Sequence, residues 1–215
     1  AAMVVGVSTH RIAIQVIAVV VFRATQIGRF KAVTEFNKKT GNQLCIHVDA
    51  ASGGFILPFL KPHIKWDFRL DNVLSISTSG HKYGLVYPGL GWVIWKDKKY
   101  LPSEMAFSVN YLGADITQVG LNFSRPAAQV LGQYYQFIRL GFQGYKAIQQ
   151  NSMEIAEYLH AEIGKMPQFK NYSNELVNPL FIWSLNPKYD KVANWTLYDL
   201  QYKLQQNGWM VPAYT

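Results

Sequence analysis

The chain has one cysteine, Cys45, in 215 residues. No intrachain disulfide can form, so folding must rest on a buried core, and a reducing, cytoplasmic setting is the expectation. Charge is sparse too: 16% of residues are Asp, Glu, Lys or Arg, against 49% hydrophobic. That balance excludes a disordered, solvated chain. Long apolar runs are also missing. The longest, "IAIQVIAVVVF" from Ile12 to Phe22, contains Gln15 and falls short of the roughly 20 residues a membrane-spanning helix needs. Arg11 ahead of it gives the outline of a signal peptide, but no small-residue cleavage site follows. A buried strand or helix is predicted there, and no membrane partner. Internal repeats and low-complexity segments are absent.

What is present is aromatic and basic. Aromatic residues make up 14% of the chain, and Trp66, Trp92, Trp95 and Trp195 lie in or beside apolar segments, as core or interface residues do. The net charge is +8. A nucleic-acid surface needs such charge gathered on one face. Here it is scattered, and the densest group (Lys96, Lys98 and Lys99) is interrupted by Asp97. It reads as a solvated turn, and no nucleic-acid partner is expected.

Hydrophobic patterning predicts an α/β protein. "FKAVTEFNKKTG" reads as a helix from Phe30 to Gly41, with Phe30, Val33 and Phe36 on one face, lysines in the last turn and Gly41 as cap. Strands are predicted at Leu44–Asp49, Asn72–Ser79 and Gly89–Lys96, with "ASGGF" as a loop. A helix leading into an apolar strand suits a mostly parallel sheet covered by helices. Ser124 and Pro126 then open a helix carrying Val130, Tyr134, Ile138 and Phe142 four apart, with Leu131 and Tyr135 beside them; Gly141 and Gly144 end it. A second helix runs from Tyr145 to Ile163, with Ile148, Ile155 and Leu159 on one face. A strand at Leu180–Leu185 follows, then a helix opened by a Thr196/Asp199 capping box and stopped by Gly208, and "WMVPAY" begins another strand. The hinge between a large and a small lobe falls near Gly141 to Tyr145.

Asp49 and Lys82 both follow predicted strands at their carboxyl ends, where ligands bind in open α/β sheets. A lysine amine condenses with an aldehyde cofactor, and a carboxylate pairs with a protonated ring nitrogen. Together they describe a site for pyridoxal 5'-phosphate. Glycines flanking Lys82 let the backbone approach a cofactor. Ser79 and His81 are placed to donate to a phosphate, and Ala51 is small enough to lie against a flat ring. Each also has a plainer reading: Lys82 as a surface-loop lysine, Asp49 as a loop cap, His81 as a turn residue, His47 as a satisfied core histidine. Spacing alone leaves both sets open.

The segments "HVDAASGGF", "WDFRL", "SGHKYGLVYPGLGWVIW", "NYLGAD", "LNFSRPAAQ" and "QYYQFIRLGFQGY" together resemble glutamate decarboxylase of the bacterial, plant and fungal type, from about Leu44 to Thr215. The resemblance implies a fold-type-I pyridoxal phosphate enzyme, with residues 1–144 as part of the large cofactor-binding domain and 145–215 as part of the small carboxyl-terminal domain. It implies Lys82 as the Schiff-base lysine, Asp49 on the pyridine nitrogen, Ala51 beside the ring, and Ser79 and His81 as phosphate ligands. Ser124 matches a serine that reaches the phosphate from a neighbouring subunit. Tyr111 falls in a mobile loop that closes over the site and helps protonate the product. The implied reaction takes L-glutamate to 4-aminobutanoate and carbon dioxide in a homo-oligomer, a dimer or a hexamer.

The resemblance also has limits. The family protein is longer, with further phosphate ligands, a ring-stacking residue and side-chain carboxylate binders ahead of the matched region and an α-carboxylate arginine after it. Ala1 to about Arg29 departs from the pattern, replacing a threonine-rich "TYTG"-like segment. The expectation is therefore an incomplete chain that alone binds the cofactor weakly and decarboxylates poorly or not at all. Another amino-acid decarboxylase of the same fold, or an inactive remnant that only oligomerises, are the competing readings.

Overall fold

The computed structural model describes residues 3–8, 11–16, 23–101, 107–111, 113–118 and 126–213. They divide into two compact units, Ala1–Gln150 and Asn151–Thr215.

In the first unit β1 (Met3–Ser8) pairs antiparallel with β2 (Arg11–Val16). The apolar run that began as strand or helix is thus strand as far as Val16. Helix α1 (Arg23–Thr40) follows and places Lys38 and Lys39 in its last turn. It starts well ahead of Phe30, because "RATQIGR" has no proline to stop it; the apolar pattern begins later than the helix. Phe30 and Val33 are buried as predicted, but Phe36 is exposed. At 100° per residue, successive i+3 steps drift, and Phe36 lies about 120° round from Phe30. Asn37 then brackets the chain's return: its amide donates to Leu44 O at 3.0 Å, and its Oδ1 accepts from Leu44 N at 2.9 Å.

That bracket launches β3 (Cys45–Asp49), which runs parallel to β2. Ile46 and Val48 are buried on one face of β3, each worth about 1.5–3 kcal/mol. A 3₁₀ turn at Gly53–Phe55 and the single turn α2 (Leu57–Leu60) bury Phe55, Ile56 and Leu57. Strand β4 (Val73–Ser79) returns parallel to β3, and β5 (Gly91–Trp95) closes the sheet antiparallel. The order is β1-β2-β3-β4-β5, parallel at the centre and antiparallel at both edges. The hairpin of β6 (Phe107–Tyr111) and β7 (Ala114–Gln118) is a separate two-stranded sheet.

Helix α3 (Ala128–Gly164) is interrupted at Gly141, whose φ of 56° and ψ of −166° are non-helical. The positive φ is one that glycine adopts at little cost. The two sequence-predicted helices therefore meet at a kink at Gly141, as expected, and Gly144 lies inside the second rather than ending the first. The expected cap Ser124 lies outside the described residues; among these the first helical bond is Leu131 N to Ala127 O at 3.0 Å, so Pro126 precedes the first turn.

The burial of α3 reverses the apolar reading. Val130, Leu131, Tyr134, Tyr135, Ile138 and Phe142 are exposed, Leu131 at 66%, whereas Gln133 is 0% exposed. Tyr145 and Gln149 are buried with it, and Ile148, Ile155 and Leu159 face outward. An aromatic group seats this helix: Tyr145 stacks on Phe59 at 5.3 Å and meets Phe55 at 5.9 Å between ring centres.

In the second unit Met153, Ala156, Leu176, Val177 and Leu185 form the core. Strand β8 (Phe169–Asn171) pairs antiparallel with β9 (Trp183–Leu185), which is shorter than the predicted 180–185. After the single turn α4 (Pro187–Asp190) comes α5 (Leu197–Gln206). Its capping box is present as predicted: Asp199 Oδ2 accepts from Thr196 N at 2.7 Å, and Thr196 Oγ1 from Asp199 N at 3.3 Å. Hydrogen bonds from Thr196 hold the Asp199 carboxyl below its ordinary range. This contribution is full above the unfolded carboxylate range and is lost as pH falls through the lowered value. Thr196→Ala is expected to lower the melting temperature by about 2–4 °C, followed by far-ultraviolet circular dichroism; an unchanged melt would show the cap to be idle. The segment after Gly208 does not form the predicted strand. It has no ladder partner among the described residues, and Met210 is exposed.

Candidate active site

Strands β3 and β4 lie side by side in parallel, with Asp49 opposite Ser77. Their carboxyl ends therefore open on the same edge of the sheet. Two backbone bonds join the chains leaving them: Ala50 N to Ser77 O at 2.8 Å and Ser79 N to Ala51 O at 3.2 Å. The structure thereby brings five of the predicted site residues to one edge: Asp49 and Ala51 from the first strand end, Ser79, His81 and Lys82 from the second.

Strand alternation puts a polar row on one face of this pair. His47 and Asp49 share a side with Ser75, Ser77 and Ser79. His47 Nδ1 lies 2.8 Å from Ser75 Oγ. Burial pushes the His47 imidazole below its ordinary range, while the Asp49 charge pulls it part of the way back. His47 is thus the satisfied sheet histidine of the plainer reading. Asp49 Oδ1 accepts from Ala51 N at 3.0 Å and from Ser77 Oγ at 3.4 Å. Both donors reach the same oxygen, and Oδ2 has no protein donor among the described residues.

The Lys82 loop is tightly turned. Lys82 N donates to Ser79 O at 3.4 Å, Leu85 N to Lys82 O at 3.3 Å, and Val86 N to Gly80 O at 3.4 Å. Leu85 takes a φ of 65°, the one positive value at a non-glycine residue among those described. Such a conformation costs on the order of 1 kcal/mol or more and persists where surroundings enforce it. The Lys82 side chain is exposed, and its ammonium makes no ion pair among the described residues. His81 Nδ1 lies 3.3 Å from Leu90 O.

This donor set fits pyridoxal phosphate. A carboxylate oxygen without a protein donor suits a ring N–H. An amine without an ion-pair partner suits an aldehyde. The Ser79 hydroxyl and the His81 ring suit phosphate oxygens, and the methyl of Ala51 leaves room for a ring. Tyr111 ends β6 in the separate hairpin, opposite Ala114, and its side chain lies outside the described residues, as does Ser124. Sequence reading missed Gln133, Tyr145 and Gln149, which roof the Lys82 loop from α3. Nothing in their hydrophobic pattern marks them, because two of the three are polar residues on a buried face.

Comparison with known proteins agrees with the geometry. Residues 5–185 match the family described as pyridoxal-dependent decarboxylase conserved domain. The match begins at residue 5, so most of the segment up to Arg29, expected to depart from the family, lies within its span. The chain is 52% identical over 180 residues to glutamate decarboxylase beta of Listeria monocytogenes, covering 84% of this chain and 38% of that protein. Among solved structures, glutamate decarboxylase of Lactobacillus brevis matches with a TM-score of 0.78 at 49% identity, over 87% of this chain and 42% of that one. A sphingosine-1-phosphate lyase of Burkholderia pseudomallei, 23% identical with a TM-score of 0.67, covers 86% of this chain and 41% of its own and shares the fold. The chain spans about two fifths of the length of these relatives. Its mixed sheet is part of a fold-type-I large domain, and the chain belongs to the pyridoxal-dependent decarboxylase family.

Proposed function

We propose that this chain forms the cofactor-holding centre of a glutamate decarboxylase, converting L-glutamate to 4-aminobutanoate and carbon dioxide. The observation that carries the reading is the convergence of Asp49 and Lys82 at the carboxyl ends of two adjacent parallel strands whose exit loops are joined by backbone bonds. The similarity to proteins named glutamate decarboxylase at about half identity supports the substrate. When bound, pyridoxal phosphate supplies an aldehyde for an amine and an electron-withdrawing ring that accepts the pair left as carbon dioxide departs.

The chain's own residues do the rest. Lys82 offers its amine from a loop whose backbone is fixed. Asp49 keeps a proton on the ring nitrogen through Oδ2, while Oδ1 stays tied to Ala51 N. Ser79 and His81 donate to the phosphate, with Ser124 added from a neighbouring subunit. Ala51 lets the ring lie close to the strand ends. Tyr111 delivers the proton that completes the amine. The exposed apolar stripe from Val130 to Phe142 on α3 supports a homo-oligomer, since patches of this kind mark interaction surfaces.

Release of labelled carbon dioxide from L-glutamate, L-aspartate and L-tryptophan tests the reading. Glutamate is expected to exceed the others by at least about tenfold, a difference of about 1.4 kcal/mol in barrier. Preference for another amino acid would reassign the substrate. Bound cofactor without any release would reduce the chain to a non-catalytic subunit.

A further inference from the structure

The loop that carries Lys82 is held from behind by side chains of α3 on both sides of its Gly141 kink. Gln149 Nε2 donates to Tyr83 O at 2.8 Å. Gln133 Nε2 donates to Gly84 O at 2.8 Å and to Tyr145 Oη at 2.9 Å. Tyr145 Oη donates to Gly84 O at 2.9 Å, and Gln136 Nε2 to Leu85 O at 3.2 Å. The three carbonyls that follow Lys82 in the chain therefore each accept from α3. Burial holds the Tyr145 phenol above its ordinary range, so it remains an O–H donor.

Packing alone does not account for these residues. The Oε1 atoms of Gln133, Gln136 and Gln149 are buried and have no partner among the described residues. Leucine or methionine would fill the same space without leaving buried acceptors unpaired. What glutamine adds is a donor aimed in one direction. The loop is also shaped to receive it: a Cβ at Gly80 would come within 2.6 Å of Gln133 Oε1, and one at Gly84 within 2.8 Å. At Gly84 the Cβ would also come within 2.5 Å of Gly80 O, so the tight turn of the loop itself calls for glycine there. The left-handed Leu85 sits at the end of the same run of clamped carbonyls.

We infer that Gln133, Tyr145 and Gln149 are positioning residues for Lys82: by fixing the Tyr83 and Gly84 carbonyls they set where the lysine amine stands. This rests on the reading of Lys82 as the amine that meets the cofactor. It extends that reading to residues that touch neither cofactor nor substrate. Orientation of a reacting group within a fraction of an ångström is where such support acts.

The test uses the full chain with Tyr145→Phe and Gln149→Met, each of which keeps shape and removes a donor. Two quantities are read. One is amide hydrogen exchange at Leu85 and Val86 without cofactor, since their partners are Lys82 O and Gly80 O. The other is the rate at which pyridoxal phosphate, fixed by borohydride reduction, labels Lys82, mapped by mass spectrometry. Both variants are expected to exchange at least about tenfold faster at these amides and to label Lys82 at least about tenfold more slowly. Labelling of surface lysines such as Lys188 and the melting temperature should stay close to those of the unaltered chain. A purely structural role would move the melt and all labelling together. Unchanged exchange or unchanged Lys82 labelling in both variants overturns the positioning role alone. Labelling of a different lysine in the unaltered chain overturns the reading of Lys82, and the positioning role with it.

Discussion

With Lys82→Ala, the visible absorption band that pyridoxal phosphate gives on binding is expected to disappear, and glutamate decarboxylation to fall by at least about a thousandfold, roughly 4 kcal/mol of barrier. The size of the effect follows from what no neighbour can replace. The densest lysine group, Lys96, Lys98 and Lys99, lies at the other end of the sheet. Strand β5 runs antiparallel to β4, so Lys96 N pairs with Leu74 O at 2.9 Å, beside the start of β4 rather than its end. A seven-residue strand at about 3.3 Å per residue separates the two ends by roughly 20 Å. Lys96→Ala should therefore leave the band intact and serves as the control. Stability should hardly change, because the Lys82 side chain is exposed and makes no ion pair among the described residues; surface changes of this kind stay within about 0.5 kcal/mol. A thermal melt that matches the parent while the band is gone separates chemistry from unfolding. A band that survives Lys82→Ala with a normal melt would remove the assignment on which the decarboxylase reading stands.

The site was more legible in the sequence than the fold around it. Asp49 and Lys82 drew notice as a carboxylate and an amine at the ends of short apolar strands, but spacing left their plainer readings open and the resemblance carried the assignment. The strands that lead to them end where predicted, at Asp49 and Ser79. The helices told less. On α3 the run Val130, Tyr134, Ile138 and Phe142 has helical spacing and reads as a buried stripe, yet these side chains are exposed and Gln133, Tyr145 and Gln149 are buried. Periodicity reports that a face is apolar, not what covers it. The buried face of α3 answers a need created elsewhere, the unpaired carbonyls of Tyr83, Gly84 and Leu85, and no local pattern encodes that need. The hairpin of β6 and β7 escaped for a similar reason, since its pairing is a relation between segments. By contrast, the Thr196/Asp199 cap and the break at Gly141 were readable because each depends on the properties of one or two residues.

Asp49→Asn is the sharper test of the site's electrostatics, because it alters charge and almost nothing else. The amide keeps an oxygen to accept from Ala51 N, which now donates to Oδ1 at 3.0 Å, so the turn after β3 should hold and the melt should move little. The position of Oδ2 then carries an N–H₂ in place of a negative oxygen and presents a donor to a ring N–H. At an effective dielectric of 20, a unit charge pair about 4 Å apart is worth about 4 kcal/mol, or about three powers of ten in proton affinity. The ring nitrogen is then no longer kept protonated, and glutamate turnover is expected to fall by roughly a hundredfold to a thousandfold, while labelling of Lys82 persists. A second readout needs no cofactor. The Asp49 charge raises the His47 imidazole against the larger downward push of burial, so removing it should lower the His47 titration midpoint further, as followed by its ring-proton resonances. A midpoint that rises or stays fixed would mean that the two side chains are not coupled across the polar face of β3. Full turnover in Asp49→Asn, with His47 shifted down as expected, would instead mean that the carboxylate lies close to the histidine but does not govern the ring.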